Sequence, residues 1–128
     1  MHTFTYHNGY TPSAPVVDIE ILSPQNPNVS VTVQSALVDS GSDTTLLPIN
    51  LLKQIHARVI ETVNLVDIHG ISTRADLYRV VIKIGPHTLR AASAVARTIG
   101  SEVIVGRNVL NHLTITLDGP AGVVELPE

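Results

Sequence analysis

Short apolar segments, separated by clusters of turn-forming residues, recur along the whole chain and restrict the folds it can adopt. In residues 29–38, valine first alternates with polar residues at every second position, which is typical of a strand buried on one face. Residues 77–84 and 89–96 form a similar pair joined by a Gly-Pro turn. Seven or eight such strands with one or two short helices predict an all-β fold, a closed barrel or a sandwich.

The composition agrees with a single core built from strands. The chain has 128 residues, of which 44% are hydrophobic and only 3% aromatic, so Val, Ile and Leu must supply most of the core. This length is enough for one core without covalent crosslinks. We expect one domain over residues 15–128, preceded by an extended N-terminal arm over residues 1–14.

Charge and cysteine content exclude several classes of function. The formal net charge of −3 is too small to predict binding to nucleic acid or to a membrane surface. No apolar run reaches transmembrane length, and the first residues lack the basic and apolar regions of a secretory signal, so we expect a cytoplasmic protein. Cysteine is absent, which rules out disulfides, thiolate nucleophiles and cysteine-based zinc sites.

The segment with the most chemical content is Asp39-Ser40-Gly41, which directly follows the strand predicted at 29–38. An aspartate at a strand end beside a glycine is held on a rigid frame where the backbone can turn sharply. Hydroxyl residues around it can hydrogen-bond to the carboxylate and to the backbone nearby. An isolated Asp-Ser-Gly is usually an ordinary turn, so the interpretation depends on the longer string.

That longer string, residues 39–48, reads Asp-Ser-Gly-Ser-Asp-Thr-Thr-Leu-Leu-Pro after Ala-Leu-Val. It resembles the active-site turn of retropepsin-like aspartic proteases, in which apolar residues precede Asp-Thr/Ser-Gly-Ala/Ser, an acidic residue and hydroxyl residues. The resemblance covers residues 15–126 and implies that Asp39 is the catalytic carboxylate. It also implies that five residues support the active-site turn: Ser40, Gly41, Ser42, Asp43 and Thr44.

A second motif carries the same resemblance. Apolar residues 103–105 are followed by Gly106, Arg107 and Asn108, and in this family an apolar pair before Gly-Arg-Asn or Gly-Arg-Asp lies under the active-site turn. The family's arginine pairs with the acidic residue of the turn, here Asp43, through the paired hydrogen bonds that a guanidinium can donate. The resemblance implies that Gly106, Arg107 and Asn108 form a structural brace with no part in the chemistry.

Between the two motifs the family has a hairpin, the flap, that closes over substrate. Ile68, His69, Gly70 and Ile71 lie where the flap is expected, and backbone groups there could bind an extended peptide. With one glycine, this segment differs from the glycine-rich flap of viral enzymes. The chain also lacks the basic residue that viral subunits carry near the N-terminus, and its region after Leu113 is longer. The sequence is therefore nearer to cellular and bacterial single-domain members than to viral ones.

The resemblance implies a mechanism that one chain cannot perform alone. Two facing carboxylates share one proton; the ionised one acts as base on a water, and the protonated one polarises the scissile carbonyl. Because Asp-Ser-Gly occurs once, the second Asp39 must come from a symmetry-related copy. We expect a homodimeric aspartic endopeptidase, a hydrolase that cleaves extended peptides or proteins without a metal or cofactor. Ser40 is expected to bond across the dimer axis, and Ser42 to lower the working pH by donating to the carboxylate.

Three alternatives lead to other classes of function. A metal hydrolase would need ligands among the six histidines, but none has the spacing of a His-Glu-x-x-His site, and chelators would distinguish this case. A serine hydrolase would need a Gly-x-Ser-x-Gly elbow, which is missing. The strongest alternative is a non-catalytic retropepsin-like module for dimerisation or peptide binding, although such a scaffold has no need for an aspartate facing its own copy.

Overall fold

The computed structural model describes all 128 residues and contains ten strands and two short helices, so the predicted all-β fold class is confirmed. Two or three more strands form than the seven or eight expected; β1 and β4 are too short to show an alternating pattern. The elements in chain order are β1 (His2–Thr5), β2 (Val16–Leu22), β3 (Ser30–Val38), β4 (Leu46–Pro48), α1 (Ile49–Gln54), β5 (Arg58–Val66), β6 (Ser72–Ile84), β7 (His87–Arg97), β8 (Ile104–Val105), α2 (Arg107–Leu110), β9 (Thr116–Asp118) and β10 (Val123–Leu126).

Seven strands form one sheet that curves back on itself. The strand order is β2-β3-β8-β4-β7-β6-β5, and β2 also pairs with β6. This extra pairing runs antiparallel from Glu20 opposite Lys83 to Leu22 opposite Val81. The sheet therefore closes around a core, and β5 extends beyond the closure as the outer strand of a hairpin with β6.

The core is aliphatic, as the composition requires. Nineteen buried residues form a single hydrophobic cluster, and Ile21, Leu47, Ile82 and Val105 are among those with no exposed surface. Burying one such side chain stabilises the fold by about 1.5–3 kcal/mol. The core includes residues of β3 and β4, which lead into and out of the candidate active-site turn, and of β8, which leads into the second motif.

The chain termini meet in a second sheet of three strands, in the order β1-β10-β9. His2 lies opposite Leu126 and Thr5 lies opposite Val123, in antiparallel register. The segment predicted as an N-terminal arm, residues 1–14, is therefore paired with the rest of the chain, because β1 completes one edge of the C-terminal hairpin. Sequence patterning gives no sign of this pairing, since it joins opposite ends of the chain.

Parallel pairing between β3 and β8 places the two sequence motifs side by side. Leu37 lies opposite Ile104 and Val38 lies opposite Val105, so Asp39 emerges from the sheet next to Gly106. The chain then crosses to β4, which pairs with β7 in parallel register. Neither helix has the length or the apolar character needed to cross a bilayer.

Candidate active site

The backbone at the end of β3, where Asp39 lies, is hydrogen-bonded to the chain segments on either side of it. The Val38 amide donates to the Pro15 carbonyl (3.0 Å), and the Asp39 amide donates to the Val105 carbonyl (3.0 Å). The Asp39 carbonyl accepts the Ser42 amide (3.2 Å), which closes the turn. The half-buried carboxylate is thereby fixed at the edge of the barrel, at the point where the sheet ends.

The Asp39 carboxylate is oriented by the glycine two residues later. Its Oδ1 accepts the Gly41 amide at 2.9 Å, while Oδ2 makes no hydrogen bond within the chain. A Cβ atom on Gly41 would lie 3.1 Å from Asp39 Oδ1, so a larger residue would crowd the carboxylate. One carboxylate oxygen is thus bonded to the turn, and the other has no partner within the chain.

The second motif contacts the turn through its backbone. The Arg107 amide donates to the Ser42 carbonyl (2.8 Å). Gly106 passes so close beneath the turn that a Cβ atom there would lie 2.1 Å from the Thr44 carbonyl oxygen. Real Cβ atoms do not approach backbone that closely, so the turn and the Gly106 segment pack together only with glycine at this position.

The expected ion pair between Arg107 and Asp43 does not form. Arg107 Nη1 instead donates to the Ser40 carbonyl at 2.7 Å, a charge-assisted hydrogen bond to the turn backbone. Asp43 is exposed and faces a cavity beside the β5–β6 hairpin. Arg107 therefore contacts the turn through the residue next to Asp39, and Asp43 carries an unpaired charge.

A buried threonine, which sequence reasoning missed, connects the two motifs. Thr45 has no exposed surface; its hydroxyl donates to Asn108 Oδ1 (2.8 Å) and accepts the Gly106 amide (3.1 Å). The Asn108 side-chain amide donates in turn to the Ser93 carbonyl (2.8 Å). These bonds tie the turn, α2 and β7 together. The sequence signal that could have indicated this role is a threonine directly before the apolar strand β4.

The two serines of the turn have different surroundings. The Ser42 hydroxyl donates to the Thr44 carbonyl at 2.7 Å. It therefore does not donate to the Asp39 carboxylate, and the expected effect of Ser42 on the working pH loses its physical basis. Ser40 is exposed and its hydroxyl makes no hydrogen bond within the chain, so its bond across a dimer axis stays a prediction.

The β5–β6 hairpin stands over the turn, at the place expected for a flap. At its tip, Asp67 Oδ1 accepts the amides of His69 (2.8 Å) and Ile71 (3.0 Å), and Gly70 has a φ of +78°, which suits glycine. Ile68 is 96% exposed. The tip is thus an ordered turn with an apolar side chain in solvent.

Two cavities run beneath this hairpin. One of about 340 Å³ lies between the hairpin and the turn; Ser42, Asp43, Thr44 and Ile71 are among its lining residues, whereas the other three flap candidates do not line it. A larger one of about 530 Å³ lies nearer the base of the hairpin. Asp39 lines neither cavity. No three His, Asp or Glu side chains come together in positions that could hold a metal ion.

Comparison with known proteins identifies the fold. No protein-family model matches the chain, and no curated protein matches it. Among solved structures, it is similar to the EIAV protease in complex with the inhibitor HBY-793, with a TM-score of 0.56 and 19% identity over 77% of this chain and 86% of that one. The chain has a retropepsin-like fold. The similarity is to a viral protease, and the expected closeness to cellular and bacterial members stays a prediction.

In this retropepsin-like fold the N-terminal segment also reaches the loop before β8. The Tyr10 hydroxyl donates to the Glu102 carboxylate, and Arg97 Nη1 donates to the Glu102 carbonyl (2.7 Å). The hydrogen bond to Glu102 raises the pKa of Tyr10, with burial and the Glu102 charge acting in the same direction. This contact adds a second attachment of residues 1–14 to the domain.

Proposed function

We propose that this chain is one subunit of a homodimeric aspartic endopeptidase, in which Asp39 of each copy activates a water for peptide-bond hydrolysis. The observation that carries the proposal is the setting of Asp39. Its half-buried carboxylate sits on a turn bonded to two neighbouring strands, in a retropepsin-like fold. One carboxylate oxygen is oriented by a backbone amide, which prepares the group for a fixed task.

The chemistry needs two such carboxylates with one proton between them. The ionised Asp39 takes a proton from water while the water oxygen attacks the scissile carbonyl carbon, and the protonated Asp39 of the second copy donates a hydrogen bond to the carbonyl oxygen. The resulting tetrahedral intermediate collapses when the amide nitrogen receives a proton and the C–N bond breaks. Neighbouring like charges favour the singly protonated pair, since both carboxylates cannot easily be ionised together.

A second copy has access to the turn in the single chain. Ser40 and Gly41 are exposed, and the Asp39 oxygen that lacks a partner lies in the same turn. A two-fold axis through this region would bring identical turns together, as a symmetric dimer requires. The brace formed by Gly106, Arg107 and Asn108 lies on the inner side of the turn and leaves its outer side uncovered.

The cavities under the hairpin favour an extended peptide as substrate. Apolar side chains make up 7 of the 13 lining residues of the larger cavity and 4 of the 9 of the smaller one, and this mixture suits the alternate side chains of an extended segment. The exposed apolar tip, with Ile68 and Ile71, lies at the end of a hairpin that has no covering element. No cofactor is required, because the nucleophile is water.

The proposal is tested with purified native chain and Asp39→Asn, each checked for dimer mass and for strand content by circular dichroism. Both are incubated with an unstructured peptide library between about pH 3 and 7. Asp118→Asn serves as a control for the loss of one carboxylate, because Asp118 lies in the remote C-terminal hairpin. We expect cleavage by the native chain and the control, and none by Asp39→Asn. A folded native dimer that cuts nothing at any pH would instead favour a non-catalytic peptide-binding or dimerisation module.

A further inference from the structure

The larger cavity under the hairpin, called the hairpin groove below, has an apolar floor. It is formed by β4, the start of α1, the end of β7 and the β5–β6 hairpin, and has a volume of about 530 Å³. Leu46, Ile49, Leu65, Tyr78 and Ile99 supply most of its apolar lining. Ile99 is 85% exposed, so the groove has an uncovered apolar rim.

The groove adjoins the cavity beside the active-site turn. Leu46, Leu65 and Thr73 line both spaces. An extended segment that lies beside the turn can therefore continue into the hairpin groove without leaving the protein surface. Whatever binds across the Asp39 turn is brought within reach of the groove by this shared wall.

Two arginines line the groove, and one of them has no partner within the chain. Arg74 is exposed, and its side chain makes no hydrogen bond or ion pair within the chain. Arg97 is partly compensated: its Nη1 donates to the Glu102 carbonyl (2.7 Å) and lies 3.9 Å from the Glu102 carboxylate, although its Nε is the single buried side-chain polar atom without a hydrogen-bond partner. The one acidic lining residue, Asp76, accepts the Thr62 hydroxyl at 3.3 Å.

We propose that the hairpin groove binds an acidic side chain of an extended peptide, with an apolar side chain beside it; that this peptide is the substrate rests on the function proposed above. The unpaired Arg74 guanidinium beside an apolar floor complements a carboxylate next to an aliphatic residue. A lysine or arginine at the same position of the peptide would meet a like charge.

The test measures binding, so that it does not depend on cleavage. The full-length Asp39→Asn protein is immobilised and exposed to octapeptide pools, in which one position at a time is fixed as Glu, Gln or Lys. We expect at least one position at which the Glu pool binds about fivefold more tightly than the Gln pool, which corresponds to one exposed ion pair. The Lys pool should bind more weakly than the Gln pool at that position.

Arg74→Gln in the same background should remove most of the preference for Glu over Gln, measured as the ratio of the two affinities in that variant. Arg58→Gln is the matched control: Arg58 is also exposed on this hairpin, on β5, but does not line the groove. It removes the same charge and should keep the preference. Raising the salt concentration should reduce the preference in the parent protein.

Two results would overturn the inference. One is the absence of any position at which Glu is preferred to Gln. The other is a preference that Arg74→Gln and Arg58→Gln reduce equally, because that would report only the net charge of the hairpin. Failure of the proposed function gives a different result: the native chain cuts no peptide, but the preference that depends on Arg74 is kept. The groove would then be a peptide-binding site without a role in catalysis.

Discussion

Gly106→Ala tests whether the two motifs form one packed unit. The backbone at Gly106, with φ −95° and ψ −177°, is accessible to any residue, so conformational strain plays no part. The added methyl carbon would lie 2.1 Å from the Thr44 carbonyl oxygen, 2.5 Å from its carbon and 2.9 Å from the Ser42 carbonyl oxygen. All three are backbone atoms, which cannot move aside as a flexible side chain would.

The size of the effect follows from what must shift. Overpacking of a close-packed site costs about 1–3 kcal/mol. Moving the turn away also strains two hydrogen bonds, from the Arg107 amide to the Ser42 carbonyl and from the Gly106 amide to the Thr45 hydroxyl, each worth about 1 kcal/mol. The expected loss is therefore about 3–5 kcal/mol, a large share of the total of about 5–15 kcal/mol typical of a folded domain.

The assay is urea unfolding followed by circular dichroism, at a fixed protein concentration. Gly119→Ala is the matched control, since no atom lies within 4 Å of its added Cβ and its φ is not positive; it should change the free energy of unfolding by less than about 1 kcal/mol. If Gly106→Ala and Gly119→Ala unfold at the same urea concentration, the packing argument is wrong.

Three further predictions concern the active-site turn, its contact with α2 and the attachment of the N-terminal segment. Asn108→Ala should lower the free energy of unfolding by about 2–3 kcal/mol. In a Thr45→Val background the same substitution should cost less, and a double-mutant cycle measures the difference. If the losses of the two single variants simply add up, the hydrogen bond between the two side chains contributes nothing. Ser42→Ala should lower the free energy of unfolding by about 1 kcal/mol and leave the pH profile of peptide cleavage unchanged, because the hydroxyl donates to a backbone carbonyl; a shifted acidic limb would refute this. Tyr10→Phe should cost less than about 1 kcal/mol, since the bond to Glu102 is solvent-screened. The fold favours the neutral phenol, so this contribution is present below the unfolded-state pKa of about 10 and is lost as the pH rises through the raised folded value. A loss of stability at pH 8 well above about 1 kcal/mol would contradict the screened bond.

The fold class was predictable because its signal is local. Alternation at a period of two and the Gly-Pro turn predict the hairpin at 77–84 and 89–96, which the structure shows as parts of β6 and β7. The position of Asp39 after an apolar strand predicts a carboxylate at a strand end, and β3 ends at Val38. Each of these inferences depends on neighbouring residues only, which is why sequence patterning was sufficient.

The contacts that were missed or wrong all depend on distant parts of the chain. Pairing of β1 with β10 joins opposite ends of the chain and has no local signature. Whether Arg107 bonds to the Ser40 carbonyl or to the Asp43 carboxylate depends on how the folded turn is placed over α2. The role of Thr45 is visible only once α2 lies beneath the turn. The sequence motifs predict which segments lie together, whereas the individual hydrogen bonds between them depend on tertiary packing.

The proposed dimer makes activity depend on concentration, and the structure limits how the copies can meet. Strand β10 is paired on both sides, by β1 and β9, so it offers no free edge to a second copy. The exposed surfaces that remain near the site are the turn at Ser40 and Gly41 and the hairpin tip, where Ile68 is 96% exposed. Val66 and Ile71 beside it are exposed as well, and a contiguous exposed apolar patch is a common feature of interaction surfaces.

Cleavage per chain should therefore fall on dilution, over the same concentration range in which the mass falls from two chains to one, because a single copy supplies one carboxylate and binding of the second copy follows mass action. Sedimentation and initial cleavage rates measured on the same dilution series give both quantities. Repeating the sedimentation with Asp39→Asn and saturating peptide shows whether bound peptide itself promotes dimerisation. A cleavage rate per chain that stays constant while the mass halves would mean that one chain carries the whole reaction, and the paired-carboxylate mechanism would then be wrong.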